Sequence, residues 1–115
     1  MPEEAPDLEL IAVPEAAHAL GVPPKRISQW IRDGVLLAVR DVEGERCVPA
    51  AFILQGLVVK GLSGTITVLK DSGYAEDEIL TWLFTEDDTL PGTPVEALRG
   101  DRGREVKRRA QASAF

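Results

Sequence analysis

Lys25, Arg26, Gln29 and Arg32 are spaced so that they share one side of a helix, with Ser28 beside them. Cationic and amide side chains in that pattern could grip phosphate oxygens and hydrogen-bond the edges of bases. Two more arginines, Arg40 and Arg46, flank the turn residue Gly44 and could touch phosphate or the minor groove. A second basic group, Arg102, Arg104, Lys107 and Arg108, comes late in the chain. It reads either as another phosphate-binding surface or as a solvated helix face. Around these groups the chain is acidic, with 19 Asp and Glu against 13 Lys and Arg and a formal net charge of -6. An uneven field can still draw a polyanion to one face of such a molecule.

The elements needed to position these residues are legible in the pattern. Pro14 opens a helical run to Leu20, with Ala16, Ala17 and Leu20 as its apolar stripe. Gly21 ends it, and Pro23 and Pro24 restart a helix running to about Asp33. Ile27, Trp30 and Ile31 are expected to face inward from that helix, leaving the cations outside. Gly34 closes it. The period then shifts to two: residues 35–40 read as a strand, residues 46–48 as its partner, and residues 41–45 as the turn between them. Two short helices around a glycine corner, followed by a hairpin, make a winged helix-turn-helix. The small alanines let the helices approach closely, and the second helix is then presented to a major groove.

Further along, residues 49–57 are expected to be helical through Phe52, Leu54 and Leu57. Leu62, Ile66 and Leu69 fit an amphipathic helix stopped at residues 71–73, and Ile79, Leu80, Leu83 and Phe84 fit another. Residues 86–94 read as a loop, residues 94–98 as a short helix, and residues from about 102 to 115 as a last helix with Val106, Ala110 and Phe115 on one side. The domain organisation expected is an arm over residues 1–10, a winged helix-turn-helix over 11–60, and a helical extension over 61–115 packed on it.

Composition narrows the function classes. At 44% hydrophobic residues the chain can bury a real core, and with 5% aromatics that core is aliphatic. No apolar run approaches the roughly 18 residues of a membrane span, and the acidic start is unlike a targeting peptide, so a cytoplasmic location is expected. Cys47 is the single cysteine and His18 the single histidine. Together they cannot form a structural zinc site, and Cys47 has no identifiable base to make it a nucleophile. It reads as a small buried hydrophobe. No catalytic residue, metal or cofactor is therefore assigned, and an enzyme is not expected. Ser28 is the only hydroxyl side chain before Cys47, and a phosphate on it would set nearly two negative charges on the proposed groove face.

The run VPEAAHALGVPPKRISQWIRDGVLLAVRDVEGERCVP resembles the MerR/excisionase type of winged helix-turn-helix, with its alanine pair, Leu-Gly-Val corner, Trp-Ile-Arg-x-Gly helix end and wing closing on apolar-Pro. HALGVPPKRISQWIRDGVLLAVR, VVKGLSGTITVLKDSGYAEDEILTWLFT and PVEALRGDRGREVKRRAQASAF, in this order, are more narrowly similar to a family of small actinobacterial DNA-binding proteins with a helical C-terminal extension. The resemblance implies a mostly helical fold with a small β-hairpin wing and binding to double-stranded DNA, and the function expected is transcription regulation or chromosome-associated control. The N-terminal arm departs from that family in holding no Thr.

On this reading Gln29 and Arg32 contribute base contacts while Lys25, Arg26, Arg40 and Arg46 grip phosphate. Some ~4 to 8 phosphate contacts would make affinity fall steeply with salt. The competing reading is an interaction module. WLFTEDDTLPGTPVEALRGDRGREVKRRA also resembles the segment by which antitoxins cap a partner toxin. A protein partner would then be bound through the C-terminal helices. No heptad or apolar face specifies an oligomeric state.

Overall fold

A computed structural model describes residues 9–90 and 92–113. Most of the expected arm, and Phe115, lie outside the described residues. The chain divides at Val59 and Lys60 into two compact units.

The N-terminal unit begins with β1 (Leu10–Ala12), so Leu10 belongs to a strand and not to an arm. Then come α1 (Val13–Leu20) and α2 (Pro24–Arg32). Pro14 and Pro24 each occupy the first turn of their helix, where a missing N–H is cheapest. At the corner, Gly21 takes the left-handed φ of 69°. The Val22 N–H donates to the Ala17 carbonyl at 3.0 Å and the Gly21 N–H to the His18 carbonyl at 3.2 Å. This pair of bonds stops α1 and sets the direction in which α2 leaves. Ala16 and Ile27 are fully buried and Ala17 nearly so, and α1 packs on α2 across these small side chains. Trp30 and Ile31, expected to be inward, are only half-buried.

β2 (Val39–Arg40) and β3 (Arg46–Pro49) form the expected hairpin, with Val39 opposite Cys47 and Arg40 opposite Arg46. The first strand is shorter than the period suggested. Residues 35–38 are not strand, because Leu36 and Leu37 are both buried in succession. A one-sided strand must alternate. β3 is the central strand, since β1 pairs on its other edge with Ile11 opposite Val48. The ladder runs on through the Ala50 N–H to the Glu9 carbonyl at 2.8 Å.

The helix expected over residues 49–57 is replaced by a 3-10 turn (Ala50–Phe52) and a second hairpin, β4 (Ile53–Leu54) with β5 (Leu57–Val58). Gln55 and Gly56, both at positive φ (54° and 79°), form its two-residue turn. An apolar run cut by two such residues folds back on itself instead of continuing as a helix.

Among the described residues the C-terminal unit is built of four helices: α3 (Leu62–Asp71), α4 (Glu76–Leu83), α5 (Pro94–Arg99) and α6 (Gly103–Ser113). α6 packs on α3 and α5, and α4 on α3 and α5. Leu62, Ile66, Leu69, Ile79, Leu83, Val106 and Ala110 have no exposed surface. A Leu→Ala change at such a position costs about 2–5 kcal/mol. Leu80 and Phe84, expected on the same face, are half-buried. Tyr74 Oη donates to the Ser113 carbonyl at 3.3 Å and Trp82 Nε1 to Ser113 Oγ at 3.3 Å, fastening the end of α6. Thr93 caps α5 reciprocally with Glu96. No helix among the described residues is long and apolar enough to cross a membrane.

Candidate nucleic-acid interface

A helix start carries partial positive charge from its unpaired N–H groups, so acidic residues are favoured there and cations disfavoured, each by about 0.3–1 kcal/mol. α2 has no acidic residue in its first turn, and places Lys25 and Arg26 there. Both are exposed, as are Gln29 and Arg32. No ion pair or side-chain hydrogen bond engages Lys25, Arg26 or Arg32 among the described residues. Three cations are thus held in the open on a nine-residue helix, two of them at the end where they weaken it. Arg32, in the last turn, suits the helix dipole, but fold stability gives no reason for Lys25 and Arg26 at the start. A bound anion does, because it is met by the helix start and the cations together.

The wing repeats the pattern. Arg40 and Arg46 face each other across the two strands, and like charges directly opposite destabilise a hairpin. Both are exposed. Arg40 is steadied by donating to the Gly44 carbonyl at 2.7 Å. The turn itself is fastened by Asp41, whose Oδ1 accepts from the Glu43 and Glu45 N–H groups at 2.9 Å each. Val42 at the tip is fully exposed. Residues 41–45 also bring three carboxylates, so the wing is basic only at its two arginines and not as a whole.

Ser28 is half-buried, apart from the exposed cations. With Arg46, Asp41 and Glu45 it lines a cavity of about 470 Å³ between the helices and the wing base. Cys47 is 4% exposed. Burial pushes its thiol above the ordinary value of 9.0, and the Asp41 carboxylate, which accepts from Sγ at 3.8 Å, pushes it further. His18 lies exposed on α1.

In the C-terminal unit the late basic residues separate. Arg102 is paired with Glu105 at 2.9 Å, while Arg104, Lys107 and Arg108 are exposed. Arg108 lines one cavity with Glu105 and Arg109, and Arg104 and Lys107 line another together with Lys60, which sequence reasoning did not single out. Arg109, likewise not singled out, donates from Nε to Asp87 at 3.1 Å. The Asp87 carboxyl lies below its ordinary value mainly because Thr89 donates to it from its hydroxyl (2.6 Å) and its N–H (2.8 Å), with Arg109 adding to this. No group of three metal-ligating side chains occurs among the described residues.

Comparison with known proteins accounts for both units. Residues 5–53 match the family model "DNA-binding protein Rv2175c, wHTH domain", and residues 59–114 match "Rv2175c C-terminal domain of unknown function". The chain is similar to the DNA-binding protein Rv2175c of Mycobacterium tuberculosis, at 41% identity over 122 residues, covering 96% of this chain and 84% of that protein. The fold is similar to the NMR structure of Rv2175c, with a TM-score of 0.85 and 39% identity over 100% of this chain and 87% of that one. A winged helix-turn-helix, followed by a helical unit of the matching kind, with two fifths of the residues shared, establishes that the chain belongs to the family of the mycobacterial protein Rv2175c.

Proposed function

We propose that this protein binds double-stranded DNA through the N-terminal unit and acts as a transcription regulator. α2 enters the major groove, Gln29 and Arg32 meet base edges, and Lys25 and Arg26 hold phosphates near the helix start. The wing lies along the flanking backbone, where Arg40 and Arg46 add two more phosphate contacts. The observation that carries this reading is the acid-free first turn of α2 with its unpaired cations. Membership of a family whose curated member is named a DNA-binding protein supports it. Phosphate contacts fix register while base edges supply selectivity, so these two groups of side chains should fail differently when removed.

The test is duplex binding across a salt series, with Arg26→Ala/Arg32→Ala beside the native chain. About four phosphate contacts give a slope of log affinity on log salt near −4, and the double variant should lose retention at low salt. Unchanged retention in the variant, with recovery of a protein partner in a pull-down, would instead favour the interaction-module reading.

A further inference from the structure

Two helix starts meet in the C-terminal unit. Gly61, at φ 88°, caps α3 without any side-chain hydrogen bond, and α6 begins at Gly103. The backbones are close: a Cβ on Gly61 would stand 3.1 Å from Leu98 Cδ2 and 3.5 Å from Gly103 Cα. Beside them opens a cavity of about 510 Å³, lined by both glycines and by Lys60, Arg104 and Lys107. Arg104 and Lys107 lie one turn apart on α6 and so project the same way. None of the three cations has an ion pair among the described residues, whereas their neighbour Arg102 is satisfied by Glu105. Gly64, in the first turn of α3, also lines the cavity, and a Cβ there would meet nothing within 4 Å. Among the described residues Asp101 is the one carboxylate in the lining, leaving three positive groups against one negative.

Three cations outnumbering one carboxylate around a concave space repel one another. Here the repulsion adds to the positive ends of two helices. A tetrahedral oxyanion removes both costs, accepting N–H donors from the helix starts and charged donors from Lys60, Arg104 and Lys107. The volume lies in the range of small-molecule sites. We infer that this cavity is a phosphate-group site belonging to the C-terminal unit. Its occupant is either a backbone phosphate of DNA or a free phosphoanion. The inference does not depend on α2.

The test uses the full isotope-labelled chain, followed by amide NMR at constant ionic strength, in two arms: inorganic phosphate and a duplex. With phosphate, the amides of Gly61, Gly64, Gly103 and Arg104 should shift saturably. The Arg104→Gln/Lys107→Gln variant should weaken that binding at least tenfold, and Asp101→Asn should tighten it severalfold. Movement of the same amides with duplex, competed by phosphate, assigns the site to a DNA backbone phosphate. Movement with phosphate alone assigns it to a free anion. No saturable shift in either arm, or shifts that survive the double variant, overturns the inference. The amides of Lys25, Arg26 and Gln29 in the duplex arm report separately on the groove reading, so the two can fail independently.

Discussion

α4 begins with Glu76, Asp77 and Glu78, and α2 begins with Lys25 and Arg26. The first arrangement complements the helix dipole, and Glu78 closes the turn by accepting from the Ala75 N–H at 2.8 Å. The second opposes the dipole and leaves its charges unpaired. The same contrast extends through the two units. In the C-terminal unit Lys70 pairs with Glu76, Arg102 with Glu105 and Arg109 with Asp87. In the N-terminal unit Arg40 is set opposite Arg46. One region pairs its cations with its own carboxylates and gives α4 an acidic first turn, while α2 begins with cations that have no such partner. The cavity beside α3 and α6 is the place where the C-terminal unit departs from its own habit.

The contrast is broken most directly by Lys25→Glu/Arg26→Glu. Duplex affinity at low salt should fall on the order of 100-fold. The thermal midpoint should hold or rise, because acids suit a helix start by about 0.3–1 kcal/mol each. Loss of binding together with loss of stability would mean that these cations serve the fold after all. Next comes Glu78→Ala, which should cost about 1 kcal/mol in urea unfolding through the lost cap and leave duplex affinity unchanged. A smaller effect is expected from Arg46→Ala, which should lower the salt slope by about one contact with little change in stability.

The smallest is Asp87→Asn. The Asp87 carboxyl is lowered in the folded chain, so its stabilisation is complete above the ordinary value of 3.8 and is lost as pH falls through the folded value. Native and variant chains should therefore differ by about 0.5 kcal/mol at neutral pH and converge in acid, as followed by denaturation across pH. A constant gap at all pH values would show that Asp87 acts through shape and not charge.

How much of this was visible beforehand depends on the range of the forces involved. The helices follow from apolar spacing and from punctuation at Pro14, Gly21, Pro24, Gly73 and Pro94, all of which act locally. The exposed side of α2 follows from Ile27 alone, since burying one residue fixes where the others point. β1 has no signature in the sequence, because three residues carry no period and their strand character comes from β3 far along the chain. The β4–β5 hairpin had a local signal, Gln55-Gly56 between apolar pairs, which the apolar spacing of Phe52, Leu54 and Leu57 outweighed. Nothing in the sequence groups Lys60 with Arg104 and Lys107, because only the packing of α3 on α6 brings them together. The pairing of Arg109 with Asp87 is hidden for another reason: sequence shows a charge but not whether a distant carboxylate already holds it.

Asp41 ties two amides of its own turn, so the apex of the wing needs nothing from the interior to keep its shape. An apex that carries its own fastening can exchange residues at 42 and 43 almost freely. The two arginines keep their places opposite each other whatever side chains stand at 42 and 43. The wing tip can thus change its side chains without disturbing the strands beneath it.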